Sequence, residues 1–273
     1  MFVAKTIEEV REFLRSKTEF GKTVSFVPTM GALHEGHLAL VKKAKELGEI
    51  SVVSIFVNKT QFNDPIDYEK YPKTLEQDLE KLRALDPSCV FAPENSEIFS
   101  QDFVCKISLN SLGDSLCGAS RPGHFDGVAL IITKLFNIIK PDIAIFGEKD
   151  FQQVLVIKKL VKDLNFNVKI FTQPTLREES GLAMSSRNQR LSEASKIKAA
   201  NIFRILSEIK INPTILAEKK SELLAIGFEK IDYLEIRDEK NLSLISDFSG
   251  KIPARIFIAA YLDGVRLIDN LML

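Results

Sequence analysis

VSFVPTMGALHEGHLALVKKA, residues 24–44, holds a strand, a glycine turn and a helix in one uninterrupted run. The start is short and rich in β-favouring residues, Gly31 marks the turn, and Leu40, Val41, Ala44 and Leu47 then recur at the spacing of a buried helical stripe. Strand, turn and helix in that order are the first half of a parallel crossover unit. Further runs of the same texture follow at SVVSIFVN from 51, CVFAP from 89, DIAIFG from 142 and VKIFTQ from 168, with a second helical stripe at Leu75, Leu79 and Leu82. The rhythm predicts an α/β domain over residues 1–174, a Rossmann-like and mostly parallel sheet with helices on both faces. Residues 175–273 read differently. A polar loop comes first, then the helix-like LSEASKIKAANIFRILSEI and NPTILAEKKSELLAIGF, then the strand-like YLEIRD and ARIFIAAYL, which predicts a smaller C-terminal α+β domain acting as a lid.

The charge balance narrows the partners. Lys plus Arg and Asp plus Glu number 37 each in 273 residues, so the summed charge offers no long-range attraction to nucleic acid or to an anionic membrane. Any anion must therefore be held by a local site. The N-terminal MFVAKTIEEVREFLRSK mixes acidic with apolar residues, unlike a secretory signal, and the apolar runs around Ile131 and Phe257 fall far short of a membrane span. The expected location is cytoplasmic. Cys89, Cys105 and Cys117 are odd in number and form no CxxC pair, so they are expected to be buried free thiols.

In open parallel sheets, ligands collect beyond the carboxyl ends of the strands, so the residues after each strand are the candidates. After the first of them, His34 and His37 stand three apart, placed to point together over a helix N-terminus. Backbone amides and the dipole at such an end attract phosphate, and Gly31 and Gly36 ease close approach. Two imidazoles there can donate to phosphate oxygens or carry a proton. Zinc is the rival reading, but HEGH has a spacing of three instead of four and no third ligand is evident; a purely structural pair is the other.

Three further segments qualify. SIFVNKTQF sets Asn58 and Gln61 just beyond a strand, where neutral amides can bind a hydroxyl and a carboxylate or simply make a polar turn. DIAIFGEKDFQQ ends a strand at Gly147 and continues with Glu148, Lys149 and Asp150, then Gln152 and Gln153. Lys149 suits a phosphate and Asp150 a ribose hydroxyl or Mg2+, although a plain helix start has the same look. TLREESGLAMSSRNQRLS combines Gly181, two serines and Arg187 ahead of a helix with Ser192 as its N-cap, a set suited to polyphosphate or to a solvated linker.

Taken together and in order, PTMGALHEGH, FVNKTQF, RPGHFDGV, FGEKDFQQ and GLAMSSRN resemble the motif series of the pantothenate synthetase (pantoate–β-alanine ligase) family, and the likeness runs on to RLIDN near the C-terminus. That family belongs to the cytidylyltransferase-like nucleotidyltransferases, whose HxGH signature is similar to His34–His37; the counterpart of the KMSKS loop falls on Met184, Ser185, Ser186 and Arg187. The resemblance implies a two-step reaction. Pantoate and ATP give pantoyl-adenylate and pyrophosphate, and β-alanine then gives pantothenate and AMP, with Mg2+ required and carried mainly on the ATP phosphates. It implies an ATP site formed by Met30, Gly31, Ala32, Leu33, His34, Glu35, Gly36 and His37, by Gly147, Glu148, Lys149 and Asp150, and by Leu176, Met184, Ser185, Ser186 and Arg187. Among these His37 is the implied proton donor, with His34, Lys149 and Arg187 stabilising charge. Gln61, Gln153 and Asn58 are the implied substrate residues, and a homodimer is implied as well. The nearest rival activity is nucleotidyl transfer to a phosphorylated acceptor, and a nucleotide-binding module without turnover is the rival outside enzymes.

This chain departs from the pattern at one place. Where the family reads FVNPMQF, Lys59 and Thr60 replace proline and methionine. Losing the proline removes a fixed φ and is expected to loosen the turn that aims Gln61. His124 in RPGHFDGV is open between a substrate-side and a structural role.

Overall fold

Six parallel strands form the larger sheet of the computed structural model, which describes residues 1–18, 21–246, 248 and 250–273. They are β1 (Phe2–Ala4), β2 (Val24–Thr29), β3 (Ile50–Ile55), β4 (Cys89–Phe91), β5 (Ile143–Gly147) and β6 (Lys169–Gln173), in the spatial order β1-β4-β3-β2-β5-β6. Neighbouring residues on a strand point to opposite faces, and both faces are covered. On one, Val27, Val53, Val90 and Ile145 pack with Leu40, Val41 and Ala44 of helix Glu35–Leu47 and with Leu79 and Leu82 of helix Leu75–Arg83. On the other, the Phe26 ring meets Phe136 of helix His124–Ile139 edge-on at 6.4 Å. The expected Rossmann-like sheet with helices on both faces is therefore present.

The strand order reverses between β2 and β5, because the chain runs outward from β2 through β3 to β4 and then returns to the far side of β2. β2 and β3 pair to their ends, Thr29 beside Ile55, while β2 pairs with β5 earlier along the strands, Phe26 beside Ala144. The loops leaving β2, β3 and β5 thus emerge side by side at the switch point, where such sheets bind their ligands.

A second sheet is antiparallel, β7 (Lys230–Asp238), β8 (Ala254–Leu262) and β9 (Val265–Met272) in that order. Its buried face, with Leu234, Ile256, Ile258 and Leu267, packs on Ile202, Ile205, Leu206 and Ile209 of helix Asn201–Ile211. β1 and β9 were not distinguished as strands in the sequence; β1 has only three residues, and β9 carries the polar Asp269 and Asn270.

The chain divides into two compact units. One comprises Met1–Asn110, Arg121–Glu148 and Gln153–Pro174; the other comprises Ser111–Ser120, Lys149–Gln152 and Thr175–Leu273. The two short stretches in the second unit are tied there by polar contacts. Arg266 donates to Ser120 Oγ at 2.9 Å, and Asn270 Nδ2 donates to the Lys149 carbonyl at 2.9 Å. One expectation about the cysteines is corrected: Cys89 and Cys117 are buried, but Cys105 is exposed, in a stretch around residues 103–110 with no regular secondary structure to cover it.

Candidate active site

The loop between β2 and helix Glu35–Leu47 is held from below by a residue outside every motif. Asp78, in the first turn of helix Leu75–Arg83, is fully buried. Its carboxylate accepts from the backbone N–H of Leu33 at 2.7 Å and of Ala32 at 2.9 Å, and from the Thr74 hydroxyl at 3.0 Å. Gly31 has φ +80°, and a Cβ built there would stand 3.0 Å from Asp78 Oδ2, so any side chain would be strained at this corner. Lys81 Nζ donates to the Leu33 carbonyl at 2.5 Å. The loop is thereby fixed through its main chain.

His34 is the N-cap of the helix that follows. Its Nδ1 accepts from Gly36 N–H at 3.2 Å, while His37 Nδ1 accepts from His34 N–H at 3.4 Å, a capping box built from two imidazoles. The ring centroids lie 4.1 Å apart. A nitrogen that accepts from an amide carries no proton, so in the neutral state each ring bears its proton on Nε2. The pair presents two N–H donors at a helix N-terminus, a suitable arrangement for an anionic oxygen.

Gln61 is the meeting point of three of the motifs. Its Nε2 donates to Met30 Sδ at 3.0 Å, and its Oε1 accepts from Asn58 Nδ2 at 2.9 Å. Its main-chain carbonyl faces His124 Nδ1 at 2.7 Å and accepts from Arg121 Nη2 at 3.3 Å, while Arg121 Nη1 lies 3.2 Å from His124 Nε2. These bonds agree on one tautomer, with His124 donating from Nδ1 and accepting at Nε2. His124 is thus buried and grips the turn that carries Gln61. Gly127, one turn further along the same helix, allows that turn to approach, since a Cβ there would lie 2.3 Å from the Thr60 carbonyl.

The turn Lys59–Gln61 is a short 3-10 helix capped by Asn58, whose Oδ1 accepts from Thr60 N–H at 3.3 Å and from the Thr60 hydroxyl at 2.8 Å. Asn58 Nδ2 also donates to the Gly127 carbonyl at 3.1 Å. The loosening expected from the missing proline is opposed by this hydroxyl and by the contacts of Asn58 with the helix. Asn58 is buried with both ends of its amide engaged.

Beyond β5, Gly147 and Glu148 belong to the first unit, and Glu148 Oε1 accepts from the Thr172 hydroxyl at 2.8 Å. Lys149 and Asp150 belong to the second unit. Gln152 is buried, with its amide spent on Cys117 N–H and on the carbonyls of Leu112 and Ser115. Gln153 is half-buried.

In the second unit, Leu176 to Met184 form a narrow loop closed by Met184 N–H to the Leu176 carbonyl at 3.0 Å and by pairing of Arg177 with Ala183. Ser185 caps the 3-10 turn Ser186–Arg190 by accepting from Arg187 N–H at 3.2 Å. Asn188 donates to Glu178 Oε1 and to the Ala183 carbonyl, stitching loop to turn. The RLIDN segment supplies the anchor. Asp269 takes Arg177 in two bonds, at 2.5 and 3.0 Å, and Arg177 stacks on the Phe203 ring at 3.9 Å. Burial pushes the Asp269 carboxyl up while the Arg177 guanidinium pulls it down, leaving it above its ordinary value. Asn270 holds the Lys149 carbonyl and accepts from Arg255 at 2.6 Å. Asp78, Arg121, Arg177, Asp269 and Asn270 were not singled out by sequence reasoning, and Thr60 entered it only as a departure from the family pattern. The only available signal for Asp269 and Asn270 was the likeness at RLIDN.

Comparison with known proteins shows the family. The family model described as pantoate-beta-alanine ligase matches residues 2–272. A pantothenate synthetase from Pseudomonas paraeruginosa is 46% identical over 281 residues, covering 99% of this chain and 98% of the relative. One from Roseobacter denitrificans is 44% identical over 276 residues, covering 98% and 96%. The solved pantoate-beta-alanine ligase of Thermus thermophilus superposes with a TM-score of 0.92 at 38% identity, covering 99% of each chain. That of Francisella tularensis, complexed with β-γ ATP and β-alanine, gives 0.88 at 39% identity, covering 100% of this chain and 97% of its own. With a matching model from end to end, relatives far above the threshold of chance likeness and the same fold throughout, the chain belongs to the pantoate–β-alanine ligase family.

Proposed function

We propose that this site condenses pantoate with β-alanine at the expense of ATP, through a pantoyl-adenylate, releasing pyrophosphate and then AMP. The observation that carries the reading is the convergence on Gln61 of Met30, Asn58 and His124, which joins the phosphate-binding loop to a substrate amide in one rigid corner. Membership of the family supports the activity itself, an ATP-dependent acid–amine ligation.

Neither step needs a protein nucleophile. The pantoate carboxylate attacks the α-phosphorus and pyrophosphate leaves; the β-alanine amine then attacks the acyl carbon and AMP leaves. Positioning and charge stabilisation carry such a reaction. His34 and His37 donate to phosphate oxygens, and His37 is the group we assign to the departing pyrophosphate. Lys149, Ser185, Ser186 and Arg187 gather the remaining negative charge, with Gly147, Glu148, Asp150, Leu176 and Met184 on the nucleoside. Gln61 serves pantoate and β-alanine, Gln153 serves pantoate, and Asn58 acts through Gln61. Mg2+ bound mainly by the ATP phosphates would supply further neutralising charge there, with no side chain of this chain assigned to hold it. We further propose a homodimer, in the cytoplasm; among the described residues no helix is long and apolar enough to cross a membrane.

The test is AMP formation with ATP, pantoate and β-alanine, omitting each in turn. AMP should appear only with all three, and pyrophosphate with ATP and pantoate alone. His37→Ala and Lys149→Ala should fold normally yet lose adenylate formation by on the order of 10²-fold or more. Pyrophosphate release at the wild-type rate in either variant overturns its assignment. AMP made with a phosphorylated acceptor in place of pantoate turns the reading toward a nucleotidyltransferase.

A further inference from the structure

We propose that Thr60 is a positioning residue for the ligation: its hydroxyl sets the polarity of the Asn58 amide and so presents Gln61 to the substrate as a hydrogen-bond donor. The proposal rests on the ligase reading above and deepens it by assigning the sense of the Gln61 contact.

The chain of bonds has a single direction. The Thr60 hydroxyl and its N–H both donate to Asn58 Oδ1, at 2.8 and 3.3 Å. The N–H, which can only donate, identifies that atom as the oxygen, so the hydroxyl donates to it as well and the other end is the NH2 group. The NH2 spends one hydrogen on the Gly127 carbonyl at 3.1 Å and the other on Gln61 Oε1 at 2.9 Å. Gln61 must then turn its own NH2 outward, where one hydrogen reaches Met30 Sδ at 3.0 Å. The second hydrogen has no acceptor among the described residues.

Turned end for end, the Asn58 amide would set its NH2 against the Thr60 N–H and its oxygen against two oxygens. Asn58 is 1% exposed, so no water can relieve the conflict. The N–H of Thr60 alone supplies a long bond at 3.3 Å, and the hydroxyl supplies the short one. Gln61 therefore offers N–H to a carboxylate or hydroxyl oxygen and is mismatched to an ammonium or amide N–H. That polarity suits an acid substrate before activation, and it excludes Gln61 as the acceptor of the amine proton in the second step.

Thr60 lies where the family pattern has methionine, a side chain without a proton to give. The hydroxyl fixes the amide in a turn that also lacks the proline. Its partner Gly127 contributes twice, by accepting from Asn58 and by leaving room for the Thr60 carbonyl.

Thr60→Val keeps the shape and removes the donor; Thr60→Ser keeps the donor and removes only a methyl. Losing one hydrogen bond of this kind is expected to raise KM for pantoate about 3- to 10-fold in Thr60→Val. KM for ATP should stay at the wild-type value, the melting temperature should hold within a few degrees, and Thr60→Ser should restore most of the loss. A structural role alone would move both KM values together. Wild-type KM for pantoate in Thr60→Val, or equal loss in Val and Ser variants, overturns the proposal. A wild-type chain that forms no AMP from ATP, pantoate and β-alanine removes the ligase reading, and this proposal with it, and is told apart by that control.

Discussion

Asp78 touches no substrate in the proposed reaction, yet replacing it should damage nucleotide binding more than most changes within the motifs. In Asp78→Asn one carboxylate oxygen becomes an NH2 group. If the remaining oxygen takes the Oδ2 position it keeps Ala32 N–H and Thr74, but the Leu33 N–H, now 2.7 Å from its partner, faces a donor. In the opposite orientation the Ala32 N–H is the one opposed. Either way at least one buried, charge-assisted backbone bond is lost, worth about 1.5–3 kcal/mol. At about 2–4 °C per kcal/mol for a chain of this size, the melting temperature should fall by about 3–12 °C. The loop bearing His34 and His37 loses its floor, so KM for ATP should rise by about tenfold, the equivalent of ~1.4 kcal/mol. Asp78→Ala strands both amides and should be worse on both measures. Thermal unfolding by circular dichroism and initial rates with varied ATP read the two effects separately. An Asp78→Asn variant that melts with the wild type and keeps its KM for ATP refutes the view that this carboxylate holds the loop.

Three further outcomes follow from other contacts. His124→Phe keeps the ring but removes the donor to the Gln61 carbonyl, and steady-state rates should show KM for pantoate up about 3- to 10-fold with KM for ATP little changed. Arg177→Ala leaves Asp269 buried without its partner at a cost of about 3–5 kcal/mol at neutral pH. Burial, the largest influence on this carboxyl, is then opposed only by the Asn270 N–H and the Lys149 charge and raises the folded carboxyl further above its unfolded value, so stability should fall as pH rises from that value; urea titrations at about pH 4 and pH 7 should show the smaller loss at the lower pH. Burial also pushes the Cys89 thiol up to about 12 from 9.0, so the wild type should lose stability between those values as pH rises, while Cys89→Ala should show a shallower alkaline decline in the same titration.

The fold was legible because its signals are local. The apolar strands and the stripes at Leu40–Leu47 and Leu75–Leu82 each carry their own periodicity, and the predicted sheet and second domain are both present. The motif residues were legible for the same reason: histidines, glycines and serines clustered after strands. β1 was too short to register, and β9 was masked by polar residues that face inward because they are paired. What escaped reading at the site was nearly all long-range. Asp78 lies 46 residues from Ala32, Asn58 lies 69 from Gly127, and Asn270 lies 121 from Lys149. An aspartate in a helical stripe looks like a solvated charge until the loop it holds is known.

The same distances bear on how the proposed chemistry works. A ligation without a protein nucleophile draws its rate from geometry held before substrate arrives, and an error of about 1 Å there can cost on the order of 10²-fold. Gln61 illustrates how the geometry is held: its carbonyl is gripped by His124 and Arg121, its amide oxygen by Asn58, and its NH2 by Met30. Three segments far apart in the chain must fold together before that side chain points anywhere. Rate and stability are therefore linked at these positions. Changes to the residues that hold the site should appear in KM and in melting temperature together when they release backbone, as at Asp78, and in KM alone when they release only a side-chain polarity, as at Thr60. The contrast between those two residues separates support of the loop from aim of the amide.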